Sequence, residues 1–143
     1  MKSTEVKDAA YFNRIGKGLM AELMGIEILS VIPAEKLTCR LQIRPNHFAP
    51  NGLLHAGAAV TLADTACGYA TIASLAEGAK GHATVELKCN FTAVPREGPL
   101  YCEAVPVHMG RTIQVWDAIV TDESSRRAVA HFRCTQMIFW ENQ

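Results

Sequence analysis

The sequence predicts an α+β domain in which a curved antiparallel sheet wraps one long central helix. Three observations carry this. Residues 47–75 lead from a Pro-Asn-Gly turn through His55 into a long run of small and apolar residues broken by a single charge, Asp64. Six segments of strand character flank that run, two before it and four after. The helix is thin: Ala56, Gly57, Ala58, Ala59, Ala63, Ala66, Gly68, Ala70 and Ala73 carry almost no side-chain bulk. One helix and six strands bury the helix only if the sheet curls around it, and small residues let the sheet come close.

Each element follows from its local pattern. Phe12, Ile15, Leu19 and Leu23 recur at helical spacing but Gly16 and Gly18 interrupt them, which predicts a short helix near 8–16 and a helical turn near 17–24 closed by Gly25. The period then drops to two over 26–31, and after the Pro33–Lys36 turn it continues over 37–43, a pair of strands. Pro45 and Pro50 hold the loop into the central helix, expected over 55–75 and ended by Gly78 and Gly81. Strands are expected over 83–93, 100–108, 112–121 and 128–140, each rich in β-branched and aromatic residues. Turn residues separate them, and the last two connections are short enough for hairpins. An open sheet leaves edges, and a second copy of the chain is the simplest cover for one.

Length and composition narrow the function. The 143 residues suit a single domain, 1–143, with residues 1–17 as an N-terminal extension and the core over 18–140. Lys+Arg and Asp+Glu balance at 14 each, so no basic face offers itself to nucleic acid. The N-terminus lacks the apolar run of a secretory signal, and the apolar run at 56–75 holds Asp64 and too much Ala and Gly for a membrane span. Five cysteines, an odd number without a CxxC pair, read as reduced core residues of a cytoplasmic protein. The histidines show no metal-ligand spacing, so no metal is expected.

The runs NGLLHAGAAVTLADTACGYA, TVELKCNFTAVPREG and HMGRTIQVWDAIVTDE resemble the hotdog-fold acyl-CoA thioesterases, in particular the phenylacetate-degradation and 4-hydroxybenzoyl-CoA types that place their acid on the central helix. The resemblance spans residues 18–140. It departs from the family pattern at three places. His-Gly-Gly becomes His55-Ala56-Gly57; the Gln or Asn six residues before the His becomes Ala49, with Asn51 nearby; and the Ser or Thr four residues after the acid becomes Gly68.

Asp64 lies nine residues beyond His55, about 13–14 Å along a helix and on its opposite face. One chain does not bring the two together over one bond, whereas two antiparallel copies of the helix do. The resemblance implies the same arrangement: a homodimer, or a dimer of dimers, acting on an acyl-CoA. It implies no cofactor beyond the coenzyme A of the substrate. Asp64 is then nucleophile or general base, and the helix N-terminus at His55, Ala56 and Gly57 holds the developing oxyanion. The strand holding Asn90 lines the pantetheine channel, Arg111 meets a phosphate, and Asn51 and Gly68 border the substrate. The alternatives are a non-catalytic acyl-CoA-binding protein and a hotdog hydratase or dehydratase. The hydratase form of the fold wants a His five residues after the acid, where this chain has Tyr69.

Overall fold

The computed structural model describes residues 5–141. In chain order it holds α1 (Ala9–Ile15), α2 (Met20–Met24), β1 (Ile26–Ile32), β2 (Lys36–Gln42), a 3-10 turn (Pro45–His47), α3 (Ala56–Ala73), β3 (Ala79–Phe91), β4 (Pro99–Met109), β5 (Ile113–Asp122) and β6 (Ala128–Trp140). The strands form one antiparallel sheet in the order β1-β2-β4-β5-β6-β3. This is the hotdog architecture that the sequence predicts. β4, β5 and β6 are joined by hairpins, and the longer β3–β4 connection carries the chain across the sheet from one edge toward the other.

The sheet packs on α3 through residues without bulk. Ala58, Ala59, Leu62, Ala63, Ala66, Cys67, Ala70 and Thr71 are the buried face of this helix, and β2, β4, β5 and β6 close over them. Trp116 on β5 is fully buried and donates its indole N–H to Gln114 Oε1 at 3.0 Å, so the largest core side chain leaves no polar atom unpaired. At the other end Phe12 of α1 is fully buried and stacks on Tyr69 of α3 at 4.8 Å between ring centroids.

Two boundaries differ from expectation. α3 ends at Ala73, and β3 starts at Ala79, so Gly81 sits within the strand instead of ending the helix. Gly78 makes the turn with φ +85°, a conformation that only glycine adopts without strain. The pairing of Gly81 with Phe139 absorbs a glycine that in sequence looks like a breaker.

The two sheet edges are finished differently. Along β1, the Asn13 side chain of α1 donates to the Ile28 carbonyl at 2.9 Å and accepts from Ile28 N–H at 2.8 Å, which covers the edge next to a bulge. Among the described residues β3 pairs only with β6 and leaves a 13-residue edge without a second neighbour. Leu87 and Phe91 on β3 pair with the inward-facing Cys134 and Ala130, yet both stay more than 40% exposed. An apolar face beside an unpaired edge is what a partner covers. No helix of the described residues is long and apolar enough to cross a membrane.

Candidate active site

Asp64 projects from the half-buried face of α3 toward β3. It lines a hollow of about 300 Å³ with Thr65, Gly68, Tyr69 and Ile72 of the same helix, His82 and Thr84 of β3, and Leu19 and Met20 around the start of α2. The Thr84 hydroxyl stands 3.3 Å from Asp64 Oδ1 and 3.0 Å from Gln136 Oε1, so its single proton is shared between two acceptors. Burial raises the Asp64 pKa above the ordinary carboxylate value; the Thr84 hydrogen bond and, in its protonated form, His82 oppose that shift. A carboxylate set this way is a better base than one in water. Burial lowers the His82 pKa, with Asp64 pulling the other way.

The N-terminus of α3 forms a second place. His55 is its N-cap, and its Nδ1 accepts from Gly57 N–H at 2.8 Å. An amide only donates, so Nδ1 is the bare nitrogen and Nε2 carries the ring proton. A Cβ on Gly57 would stand 2.8 Å from His55 Nδ1, which explains the glycine. The His55 carbonyl takes Ala58 N–H at 2.9 Å. Among the described residues Ala56 N–H is therefore the first-turn donor left open to a ligand. His55 and Ala56 line a hollow of about 180 Å³ with Leu54, Ala59, Phe91, Ala93, Val94 and Val129.

His47 steadies this end. It is buried, its carbonyl accepts His55 N–H at 2.9 Å, and its Nδ1 accepts Arg44 N–H at 3.1 Å. Burial, with Arg44 nearby, holds its pKa low, so it stays neutral.

Within one chain, then, Asp64 and Gly68 share one hollow while His55 and Ala56 share another, with Gly57 capped against His55; among the described residues none lines both. Asn51 lies in the exposed loop before α3 and accepts Leu53 N–H at 3.1 Å. Asn90 pairs with His131 and lines a depression on the outer face of the sheet with Lys88, Asp117 and Arg133, away from both hollows. Arg111 stacks on Trp140, its guanidinium carbon 4.1 Å from the ring, and is in no ion pair among the described residues.

Sequence reasoning did not single out Thr84 or His82. Their alternation on β3 puts both on one face of the strand, but nothing in the sequence sets the register of β3 against α3. No group of three or more His, Cys, Asp or Glu among the described residues is placed to hold a metal.

Comparison with known proteins supplies the family and supports the fold. The family model described as Thioesterase superfamily matches residues 51–129, which include Asp64, both hollows' α3 residues and β3. A 1,4-dihydroxy-2-naphthoyl-CoA hydrolase of Listeria monocytogenes is 31% identical over 116 residues, 81% of this chain and 92% of the relative. The proofreading thioesterase EntH of Klebsiella pneumoniae is 31% identical over 118 residues, 82% of this chain and 85% of that one. Among solved structures, a mutant of thioesterase PA1618 from Pseudomonas aeruginosa superposes with TM-score 0.86 at 26% identity, covering 97% of each chain. The Haemophilus influenzae thioesterase HI1161 shares the fold at TM-score 0.85 and 24% identity, over 94% of this chain and 92% of that one. A family model spanning more than half of the chain, and relatives matched over four-fifths of it, make this protein a member of the thioesterase superfamily, a hydrolase of thioesters.

Proposed function

We propose that the chain hydrolyses an acyl-CoA thioester at a site shared by two copies, with Asp64 of one copy facing His55, Ala56 and Gly57 of the other. The observation that carries this is the half-buried Asp64 carboxyl, the only charge on α3, set in one hollow while the helix N-terminus opens into another. The exposed apolar residues of β3 beside its unpaired edge support pairing of two copies there. The coenzyme A assignment draws on the Listeria relative, whose name specifies an acyl-CoA.

The chemistry follows from these groups. The thioester carbonyl rests against Ala56 N–H and the Nε2–H of His55, where the positive end of the helix stabilises the oxyanion. Asp64 draws a proton from water, or attacks the carbonyl carbon itself. Leu19, Met20 and Ile72 form the apolar side of the Asp64 hollow and would face the acyl group. Arg111 on its Trp140 platform suits a phosphate at the sheet end that also carries His82. Gly68 borders the Asp64 hollow; Asn51 and Asn90, by their placement, are the weakest of the proposed substrate contacts.

The test is thiol release from a panel of aryl, phenylacetyl and medium-chain acyl-CoAs, with Asp64→Ala beside the wild type. Turnover in the wild type that vanishes in the variant while acyl-CoA affinity persists is the expected result. Binding across the panel with no thiol release from the wild type would refute the acyl-CoA hydrolase and favour a non-catalytic binder.

A further inference from the structure

We propose that His82 is the group that takes the proton of the attacking water, working in the space that Gly68 leaves open beside Asp64. This rests on the acyl-CoA reading above and changes one role in it: Asp64 orients the water, and His82 takes its proton.

The geometry begins with a missing side chain. Gly68 follows Asp64 by four residues, so the two lie one turn apart on the same helix face, where Cβ positions are about 5–6 Å apart. His82 Nε2 stands 3.5 Å from where a Cβ on Gly68 would be. A side chain at 68 would therefore touch the imidazole, which packs over the helix turn that follows Asp64 and shares its hollow. The imidazole comes from β3, where His82 pairs with the inward-facing Ile138, and it lines the same hollow as Asp64 and Thr84. Among the described residues neither of its ring nitrogens makes a hydrogen bond. A half-buried imidazole without a partner, in the same hollow as a carboxylate, is not explained by packing alone.

The surroundings decide its protonation. On α3 the titratable groups on this side are Asp64 and Tyr69; the buried Cys67 thiol is engaged with Cys134. From β6, Ile138 and Gln136 bring no charge, and around α2 the hollow is lined by Leu19, Met20 and Ala21. The Lys7 ammonium is held by the Ile72 carbonyl at 3.1 Å. Burial outweighs the Asp64 charge, so His82 is neutral near pH 7 and has a lone pair to offer.

The step balances with water alone. The water oxygen bonds to the carbonyl carbon, the π pair moves to the carbonyl oxygen, and one water proton passes to His82, with Asp64 orienting the water. When the oxyanion collapses, the C–S bond breaks, sulfur leaves with the pair, and the proton held by His82 goes to it. The products are a carboxylic acid and a thiol.

The experiment compares pH profiles of kcat/KM for thiol release by the wild type and His82→Gln. Two acid-range groups, Asp64 and His82, must both be unprotonated, so the wild-type acid limb approaches a slope of two, and the variant a slope of one. The variant should also lose about a hundredfold in kcat with KM little changed. His82→Ala should regain rate on adding imidazole, which a merely structural His82 would not allow. Unchanged kcat and slope in His82→Gln would overturn the proposal. If the variants do not fold, a wild-type kcat/KM that does not fall as the pH is lowered through the acid range overturns it alone. Absence of wild-type turnover would refute the acyl-CoA reading and this inference together, whereas turnover indifferent to His82 refutes only this one.

Discussion

At the residue scale Asp64 ties activity to stability. Its raised pKa means that the folded chain holds a proton there more tightly than the unfolded chain does. Between the two pKa values stability therefore falls as pH rises, and above both the carboxylate is a net burden on the fold. Asp64→Asn should melt at a higher temperature than the wild type at neutral pH and lose that advantage in acid, read by calorimetry. The same variant should lose about 10²–10⁴ in turnover. Loss of activity with a lowered melting temperature would point instead to a structural carboxylate. Gly57→Ala tests the other end: its Cβ would meet His55 Nδ1 at 2.8 Å. The ring must leave its cap, at about 1 kcal/mol of stability, and kcat should fall with it. Asp64 stood out in the sequence because a lone charge in an apolar helix is itself anomalous, and His55, Ala56 and Gly57 through the resemblance and their place at the helix start. His82 and Thr84 were not, because they reach Asp64 only through the pairing of β3 with β6 and the packing of that pair on α3.

At the scale of elements the helix is narrow because the sheet requires it. Ala63 and Ala66 are fully buried beneath β-strands, so Ala66→Leu should destabilise by about 1–3 kcal/mol through overpacking. Urea unfolding checks this, and a variant as stable as the wild type would mean that the contact is looser than it looks. The elements themselves could be read from periodicity and turn chemistry, since each strand and helix carries its own pattern. Boundaries were less legible. Gly81 breaks a pattern in the sequence, but in the structure it sits opposite Phe139, and a long edge strand tolerates it. The cross-over that places β3 at the sheet edge beyond β6 was invisible to local patterns for the same reason: strand order is a property of packing.

At the scale of the molecule the open β3 edge and the divided site make one argument. Asp64 and the N-terminus of α3 line separate hollows, and the apolar residues that β3 leaves exposed lie beside its unpaired edge. Leu87→Lys places a charge on that face and should give a monomer in sedimentation that has lost turnover while keeping the fold. A fully active monomer would show that one chain suffices. The most direct measurement mixes two inactive variants, Asp64→Ala and His55→Ala, by co-refolding, and assays thiol release. Random pairing makes half of the dimers mixed, each with one intact site, so about one quarter of wild-type activity should return. A mixture as inactive as its parents would contradict a site shared between two copies.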